Sequence, residues 1–332
     1  MNFKKIFITG GAGYCGSRLV PFLLEKKYEV TVFDTFYFGN FLPKNNKKLK
    51  IVKGDIRDVN FLKESCKNHD VFINLACISN DTSFILNEKL STSINLNAFE
   101  PMVVASKESG IKRFIYASSS SVYGVSEKKN VREEHPLVPL TLYNKYKGMC
   151  EPLLLKHTNN NFEGVIFRPA TVCGYSPRMR LDLSVNILTN FAINKKEILV
   201  FGGNQLRPNL HIHDYCDALL KFIQADSRII CNQIYNVGYE NLSIINIAKQ
   251  VKKVIEKKIK EKINIKIEKS SDNRSYHINS EKIYNHLQFK PKKNIEFAII
   301  EIFESFKKGL IKNSFANSLY YNVRTLKKIN AK

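Results

Sequence analysis

Along the first 170 residues, short apolar runs alternate with longer stretches in which apolar positions recur every three or four residues. The runs are KIFITG at 5–10, EVTVFD at 29–34, LKIVKGD at 49–55, DVFINLA at 70–76, RFIYASS at 113–119 and GVIFRPA at 164–170. They are rich in β-branched and aromatic side chains and nearly continuous in apolar character, as expected of strands buried on both faces of a parallel sheet. The segments between them, for example Ser17 to Lys27 and Glu100 to Ser109, read as amphipathic helices. Right-handed crossovers through such helices give an α/β fold with a doubly wound parallel sheet.

Beyond residue 174 the pattern loosens. SPRMRLDL at 176–183 is polar and irregular, a helix is expected from about Ser184 to Ile193, and ILVFGG at 198–203 reads as a strand. NQLRPNLHIHDY at 204–215 looks strand-like and 215–225 helical, while NQIYNVG at 232–238 reads as a strand returning to the sheet. A Lys-rich amphipathic helix follows at 244–259, then the alternating strand INIKIEK at 263–269. No internal repeat is present. This predicts an α/β domain over 1–174 with a return segment at about 204–240. Residues 175–332 would mainly form a smaller, discontinuous C-terminal lobe.

The net charge of +22, from 52 basic and 30 acidic residues among 332, invites a nucleic-acid reading. Its distribution argues otherwise. Residues 251–332 carry 20 basic and 8 acidic side chains, and only 11 of the 52 basic residues are Arg. Arg is the residue that reads phosphate and guanine edges bidentately, so an Arg-poor lysine excess mainly solvates surfaces and no nucleic-acid partner is expected. The seven cysteines, at 15, 66, 77, 150, 173, 216 and 231, include no CxxC pair. They read as reduced thiols, with neither a disulfide framework nor a metal site. No secretory pattern or long apolar stretch occurs, so the expectation is a soluble cytoplasmic protein without membrane association.

The first strand runs into Thr9-Gly10-Gly11-Ala12-Gly13-Tyr14-Cys15-Gly16 and then into a helix. Glycines 10, 13 and 16 suit a tight turn, close backbone approach to a pyrophosphate, and close helix–strand packing. The exposed N–H groups at the helix start stabilise phosphate charge, and Tyr14 and Cys15 lie within that loop. Asp34, closing the second strand, can accept hydrogen bonds from an adenosine ribose and would repel a 2′-phosphate, favouring NAD over NADP.

In Tyr143-Asn144-Lys145-Tyr146-Lys147, the first and last residues stand one helical turn apart. A phenol with a pKa near 10 is a poor base, and a neighbouring ammonium is expected to lower it. The serine run 118–121 offers a donor for the reacting hydroxyl. Pro152 falls inside the same helix and is expected to end or kink it near residue 148.

Taken together, TGGAGYCG, GDIRD at 54–58, NLA at 74–76, SSSSVYG at 118–124, YNKYK at 143–147 and RPATVCG at 168–174 resemble the extended short-chain dehydrogenase/reductase superfamily. The similarity is to its nucleotide-sugar epimerases and dehydratases, notably UDP-glucose 4-epimerase. The resemblance implies a Rossmann-type domain and NAD held by Gly10, Gly13, Gly16 and Asp34. It also implies adenine contacts at Asp55 and Ile56, and nicotinamide-side contacts near Leu75, Ala76 and Arg168 to Thr171. Ser119 matches the catalytic Ser/Thr position, to act with Tyr143 and Lys147. The usual homodimer through helices around 96–109 and 143–157 is implied as well.

Where 4,6-dehydratases carry an Asp–Glu pair after that serine, this chain has Ser120 and Ser121. A serine hydroxyl cannot serve as such an acid–base pair at neutral pH, so a 4,6-dehydratase of that type is rejected. The Cys/His pair of a 3,5-epimerase is also missing, since Cys173 lies in another loop. The expected reaction is hydride transfer at the sugar C4, by a 4-epimerase or else a 4-dehydrogenase or 4-ketoreductase. A non-catalytic NAD- or RNA-binding relative is the other class, against which the Ser119, Tyr143 and Lys147 set argues.

For the sugar-nucleotide diphosphate, Arg207 and Arg274 match the superfamily's two arginines, and Arg offers two parallel donors. Arg178 and Arg180 are candidates either for a phosphate or for pairing with Asp182. Thr171 and Ser120 are placed as substrate contacts. Asn80 and Asp81 either reach sugar hydroxyls or shape their loop. His211 and His213 are expected to alternate on a strand, one inward and one outward, in a structural role. The tail YYNVRTLKK at 320–328 is expected across the substrate lobe or a subunit interface.

Overall fold

The computed structural model describes residues 3–126, 128, 130–269 and 275–330. The first half runs β1 (Lys5–Thr9), α1 (Gly16–Glu25), β2 (Glu29–Asp34), β3 (Leu49–Lys53), α2 (Val59–Cys66) and β4 (Val71–Asn74). It continues through α3 (Asp81–Phe84), α4 (Glu88–Thr92), α5 (Phe99–Glu108), β5 (Arg113–Ala117), α6 (Leu142–Leu155) and β6 (Glu163–Pro169). Then come β7 (Thr171–Cys173), α7 (Ser184–Lys195), β8 (Glu197–Phe201), β9 (Leu206–His211), α8 (Ile212–Gln224), α9 (Ser227–Ile230) and β10 (Gln233–Val237). The chain closes with β11 (Glu240–Ser243), α10 (Ile244–Ile259), β12 (Asn264–Glu268), α11 (Glu281–Leu287), α12 (Ile295–Lys307) and α13 (Asn322–Ile329).

Seven strands form one parallel sheet in the order β10-β6-β5-β4-β1-β2-β3. Successive side chains on a strand point to opposite faces, and both faces are apolar here. Ile6 and Ile8 pack with Leu19, Leu23, Leu219 and Phe222 of α1 and α8. Phe7, Phe33, Phe72 and Phe114 face Leu62, Met102 and Leu154 of α2, α5 and α6. The near-continuous apolar strands of the sequence are thus covered on both faces, except the edge strand β3, where Lys50, Ile51 and Lys53 are exposed.

The smaller lobe has its own core, where Val185, Leu188, Ile198, Val200, Val251, Ile255 and Ile299 meet. The parallel pair β8–β12 flanks it, and β7, β9 and β11 form a three-stranded sheet beside it. Of the segment 204–240, only β10 returns to the large sheet; β9 belongs to the three-stranded one. Among the described residues, no helix is long and apolar enough to cross a membrane.

Two local expectations are corrected. First, α6 continues through Pro152 to Leu155. An interior proline costs about 3 kcal/mol. Cys150, Glu151 and Leu154 are all buried on the same helix, and their packing and pairing offset a penalty of that size. Second, the strand ends at His211 and α8 begins at Ile212, so His213 stands on a helix. Both imidazoles turn toward Glu301, at 3.1 Å from His211 Nε2 and 3.3 Å from His213 Nε2. Arg18 Nη2 contacts the same Nε2 of His213 that faces Glu301.

Candidate active site

A cavity of about 870 Å³ opens at the C-terminal ends of the sheet strands and extends between the two lobes. Ligands of open α/β sheets bind at this edge. Gly10, Asp34, Gly54, Leu75, Ser118 and Ala170, each at or just beyond the end of a sheet strand, contribute to its wall.

The glycine loop forms its floor. Gly10 has φ +71°, and a Cβ there would lie 2.6 Å from the Ala76 amide nitrogen. A Cβ on Gly16 would lie 2.4 Å from the Gly11 carbonyl oxygen. Those two positions exclude side chains by contact with the protein itself. Gly13 would meet only the Gly10 oxygen, at 3.2 Å, and lies on the cavity wall. The Asp34 carboxylate accepts from the Ala12 amide at 2.9 Å and the Phe36 amide at 2.8 Å. Burial pushes its pKa up, while those backbone donors pull it down.

Asp55, Ile56, Leu75 and Ala76 line the same cavity, with Asp55 held by Arg57 at 2.6 Å. Tyr14 turns its hydroxyl away, donating to the Gly174 carbonyl at 2.7 Å and so tying the loop to β7. Burial raises the Cys15 thiol to about 12, which leaves it protonated and unreactive.

Ser119, Tyr143 and Lys147 meet on the cavity wall. The helix bearing the last two is capped by Thr141, whose side chain accepts from the Asn144 amide and whose hydroxyl donates to Asp81. Ser121 Oγ donates to Asn144 Oδ1 at 2.5 Å, and Ser119 Oγ lies 2.7 Å from Ser121 Oγ. A hydroxyl has one proton, so Ser119 is the donor of its pair. Ser120 is buried, with its hydroxyl directed at Tyr276 at 3.5 Å. Asn80 accepts from the Ser83 amide at 2.8 Å and thereby shapes its loop, while both Asn80 and Asp81 line the cavity.

The expected lowering of the phenol by Lys147 is not found. Burial pushes Tyr143 well above the ordinary phenol range, the Cys77 and Asp81 charges add to this, and Arg180 opposes it. Lys147 Nζ instead donates to the Ala117 carbonyl at 2.7 Å and sits over the Tyr116 ring. A raised pKa keeps the neutral phenol. In cofactor-free protein, the ultraviolet difference between wild type and Tyr143→Phe should therefore show no phenolate titrating below pH 10, roughly the free value. A titration step between pH 7 and 9 assigned to Tyr143 would contradict this.

Four arginines behave differently. Arg178 and Arg180 are buried on the cavity wall. Arg180 bonds Asp182 at 2.8 Å and Ser79 at 3.1 Å, while Arg178 Nη2 donates to Asn322 at 2.6 Å. Arg207 lines the far end of the cavity from β9. Arg168 is not among the cavity-lining residues. It binds Glu151 bidentately at 2.9 and 2.6 Å, Tyr123 at 2.6 Å and the Glu133 carbonyl at 2.9 Å. Its cofactor role is withdrawn: a buried carboxylate claims the guanidinium, and only the neighbouring Pro169, Ala170 and Thr171 reach the cavity. Arg274 lies outside the described residues.

The C-terminal segment enters the site directly, which sequence reasoning missed. The Asn322 amide donates to Asp182 at 3.0 Å and its side chain to Ser79 at 2.8 Å, and it lines the cavity. No local pattern in the tail signals this. Among the described residues, no group of three or more His, Cys, Asp or Glu side chains is gathered for a metal ion.

Residues 6–238 match the family model described as the NAD dependent epimerase/dehydratase family. The chain belongs to that family. It is accordingly an enzyme with NAD as its cofactor. The residues fit the group: a side-chain-free approach at Gly13, a carboxylate at the end of β2 and a cradle whose glycines admit no Cβ.

Among relatives of this epimerase/dehydratase, dTDP-D-glucose 4,6-dehydratase of Mus musculus is 26% identical, covering 92% of this chain and 89% of its own. UDP-glucose 4-epimerase of Lactobacillus helveticus is 24% identical over 74% of this chain and 81% of its own. The structure of UDP-N-acetylglucosamine 4-epimerase from Methanobrevibacter ruminantium superposes with a TM-score of 0.83 at 23% identity, covering 93% of this chain and all of that one. That likeness establishes the shared fold.

Proposed function

We propose that the protein is an NDP-sugar 4-epimerase. The observation that carries this reading is the meeting of Ser119, Tyr143 and Lys147 in one cavity with the glycine loop, while the two residues after Ser119 are serines. Tyr143 acts as the phenolate, which the positive charge of bound NAD would favour over the neutral phenol of the cofactor-free protein: its Oη takes the proton of the sugar C4 hydroxyl, and Ser119 Oγ turns from Ser121 to orient that oxygen. NAD, held by the glycine loop and Asp34, supplies hydride acceptance and return. Lys147, already placed by Ala117, holds positive charge beside the reacting groups.

Arg180 and Arg207 are the proposed contacts to the nucleotide sugar, with Thr171, Asn80 and Ser120 shaping the sugar pocket. The relatives carry both dehydratase and epimerase names. The preference against dehydration therefore rests on chemistry: neither Ser120 nor Ser121 can exchange a proton as a carboxyl group does. A homodimer through α5 and α6 belongs to the same proposal, supported by the exposed face of Lys145, Met149 and Pro152 on α6.

The test is product analysis after incubation with UDP-, GDP-, CDP- and dTDP-sugars. A C4 epimer formed without net NADH is expected. Accumulating NADH would replace the epimerase with the 4-dehydrogenase, and a 4-keto-6-deoxy product would replace it with a dehydratase.

A further inference from the structure

Arg178 is 2% exposed, yet among the described residues no carboxylate lies within ion-pair distance of it. Its Nη2 is held by the neutral Asn322 side chain at 2.6 Å, its guanidinium lies 4.1 Å from the centre of the Phe38 ring, and its Nε has no hydrogen-bond partner. Burial pushes its pKa down to about 9, the nearby Arg180 adds to this, and Asp182 and Asp34 only partly offset it. A buried charge ordinarily has a counter-charge, because desolvation costs several kcal/mol per ion. Here the protein supplies a side-chain amide and a ring face, and the group lines the cavity.

The placement indicates which anion Arg178 would meet. The Arg178 amide donates to Ser17 Oγ in the first turn of α1, the helix that the glycine loop opens. Phe38 follows the Asp34 end of β2. Both neighbours belong to the dinucleotide half of the cavity, whereas Arg207 stands on β9 in the other lobe. We propose that Arg178 holds the diphosphate of the bound dinucleotide from the side opposite the glycine loop, and that Asn322 of the C-terminal segment is the positioning residue that aims it. Arg178 is thereby assigned to the cofactor and not to the sugar nucleotide. The assignment rests on NAD being the cofactor and is independent of which reaction follows.

The experiment measures binding to the cofactor-stripped full-length protein by calorimetry, with NAD, ADP-ribose, AMP and UDP as probes. Arg178→Gln should weaken NAD and ADP-ribose by about 10–100-fold, the value of a charge-assisted hydrogen bond, and leave AMP and UDP within a few-fold. Removing an uncompensated buried charge should leave the melting temperature of the stripped protein unchanged or higher, and shrink the rise produced by NAD. Asn322→Ala keeps the guanidinium but frees it, and should weaken NAD by about 3–10-fold. Unchanged NAD affinity in Arg178→Gln overturns the proposal. So does loss of UDP binding with NAD binding intact, which would return Arg178 to the sugar nucleotide. Should Arg178→Gln fail to fold, Asn322→Ala decides, and wild-type NAD affinity in that variant overturns the proposal.

Discussion

Tyr143→Phe is expected to lower turnover by about 10²–10⁴-fold, the ordinary contribution of a positioned acid–base group. NAD affinity should stay within a few-fold of wild type. The ring remains on the cavity wall, and the helix is held independently by the Thr141 cap and the buried Lys147, Cys150 and Leu154 positions. Only the proton acceptor is lost. Steady-state product formation with the substrate found in the sugar panel, beside calorimetric NAD binding, checks both halves. Turnover within about tenfold of wild type would remove Tyr143 from the chemistry.

The second large effect is on stability. Arg168→Ala should destabilise the fold by roughly 3–5 kcal/mol, because it strands a buried carboxylate. Glu151 would keep only the Ser118 hydroxyl, at 2.6 Å, and Tyr123 would lose a donor at 2.6 Å. Denaturant unfolding measures this directly. A double change to apolar residues, Arg168→Met with Glu151→Leu, should recover much of the loss, since well-packed apolar pairs replace buried ion pairs at little cost. NAD binding to the folded protein should be preserved. A variant of normal stability that no longer binds NAD would restore Arg168 to the cofactor site.

These two cases show where sequence patterns carry information and where they stop. The Tyr143–Lys147 spacing is local: helical geometry stacks residues four apart whatever surrounds them. The effect of Lys147 on the phenol is not local. Its ammonium is taken by Ala117, 30 residues earlier in the chain, while Arg180 is the cation acting on Tyr143. Arg168 sits in a motif whose neighbours do reach the cavity, yet its long side chain turns back to a carboxylate 17 residues away. A flexible guanidinium goes to whichever partner the packing offers.

The +22 charge illustrates the same division. Most of it is lysine, and what matters in the cavity is a few arginines whose partners define them. Asp182 and Ser79 hold Arg180, whereas Arg178 has Asn322 and Phe38. Asn322 is 144 residues from Arg178 and 243 from Ser79. Separations of that size leave no periodicity and no local composition to read.

By itself the sequence determined the doubly wound sheet, the glycine loop with its acidic partner, and the helical spacing that brings Tyr143 and Lys147 to one cavity wall. Each depends on short-range periodicity or on backbone conformations that only glycine permits. Tertiary structure alone decided which charges face the cavity, that α6 passes through Pro152, and that Asn322 of the C-terminal segment joins the cavity wall. Those outcomes depend on desolvation and on contacts between distant segments, which arise only once the chain is packed.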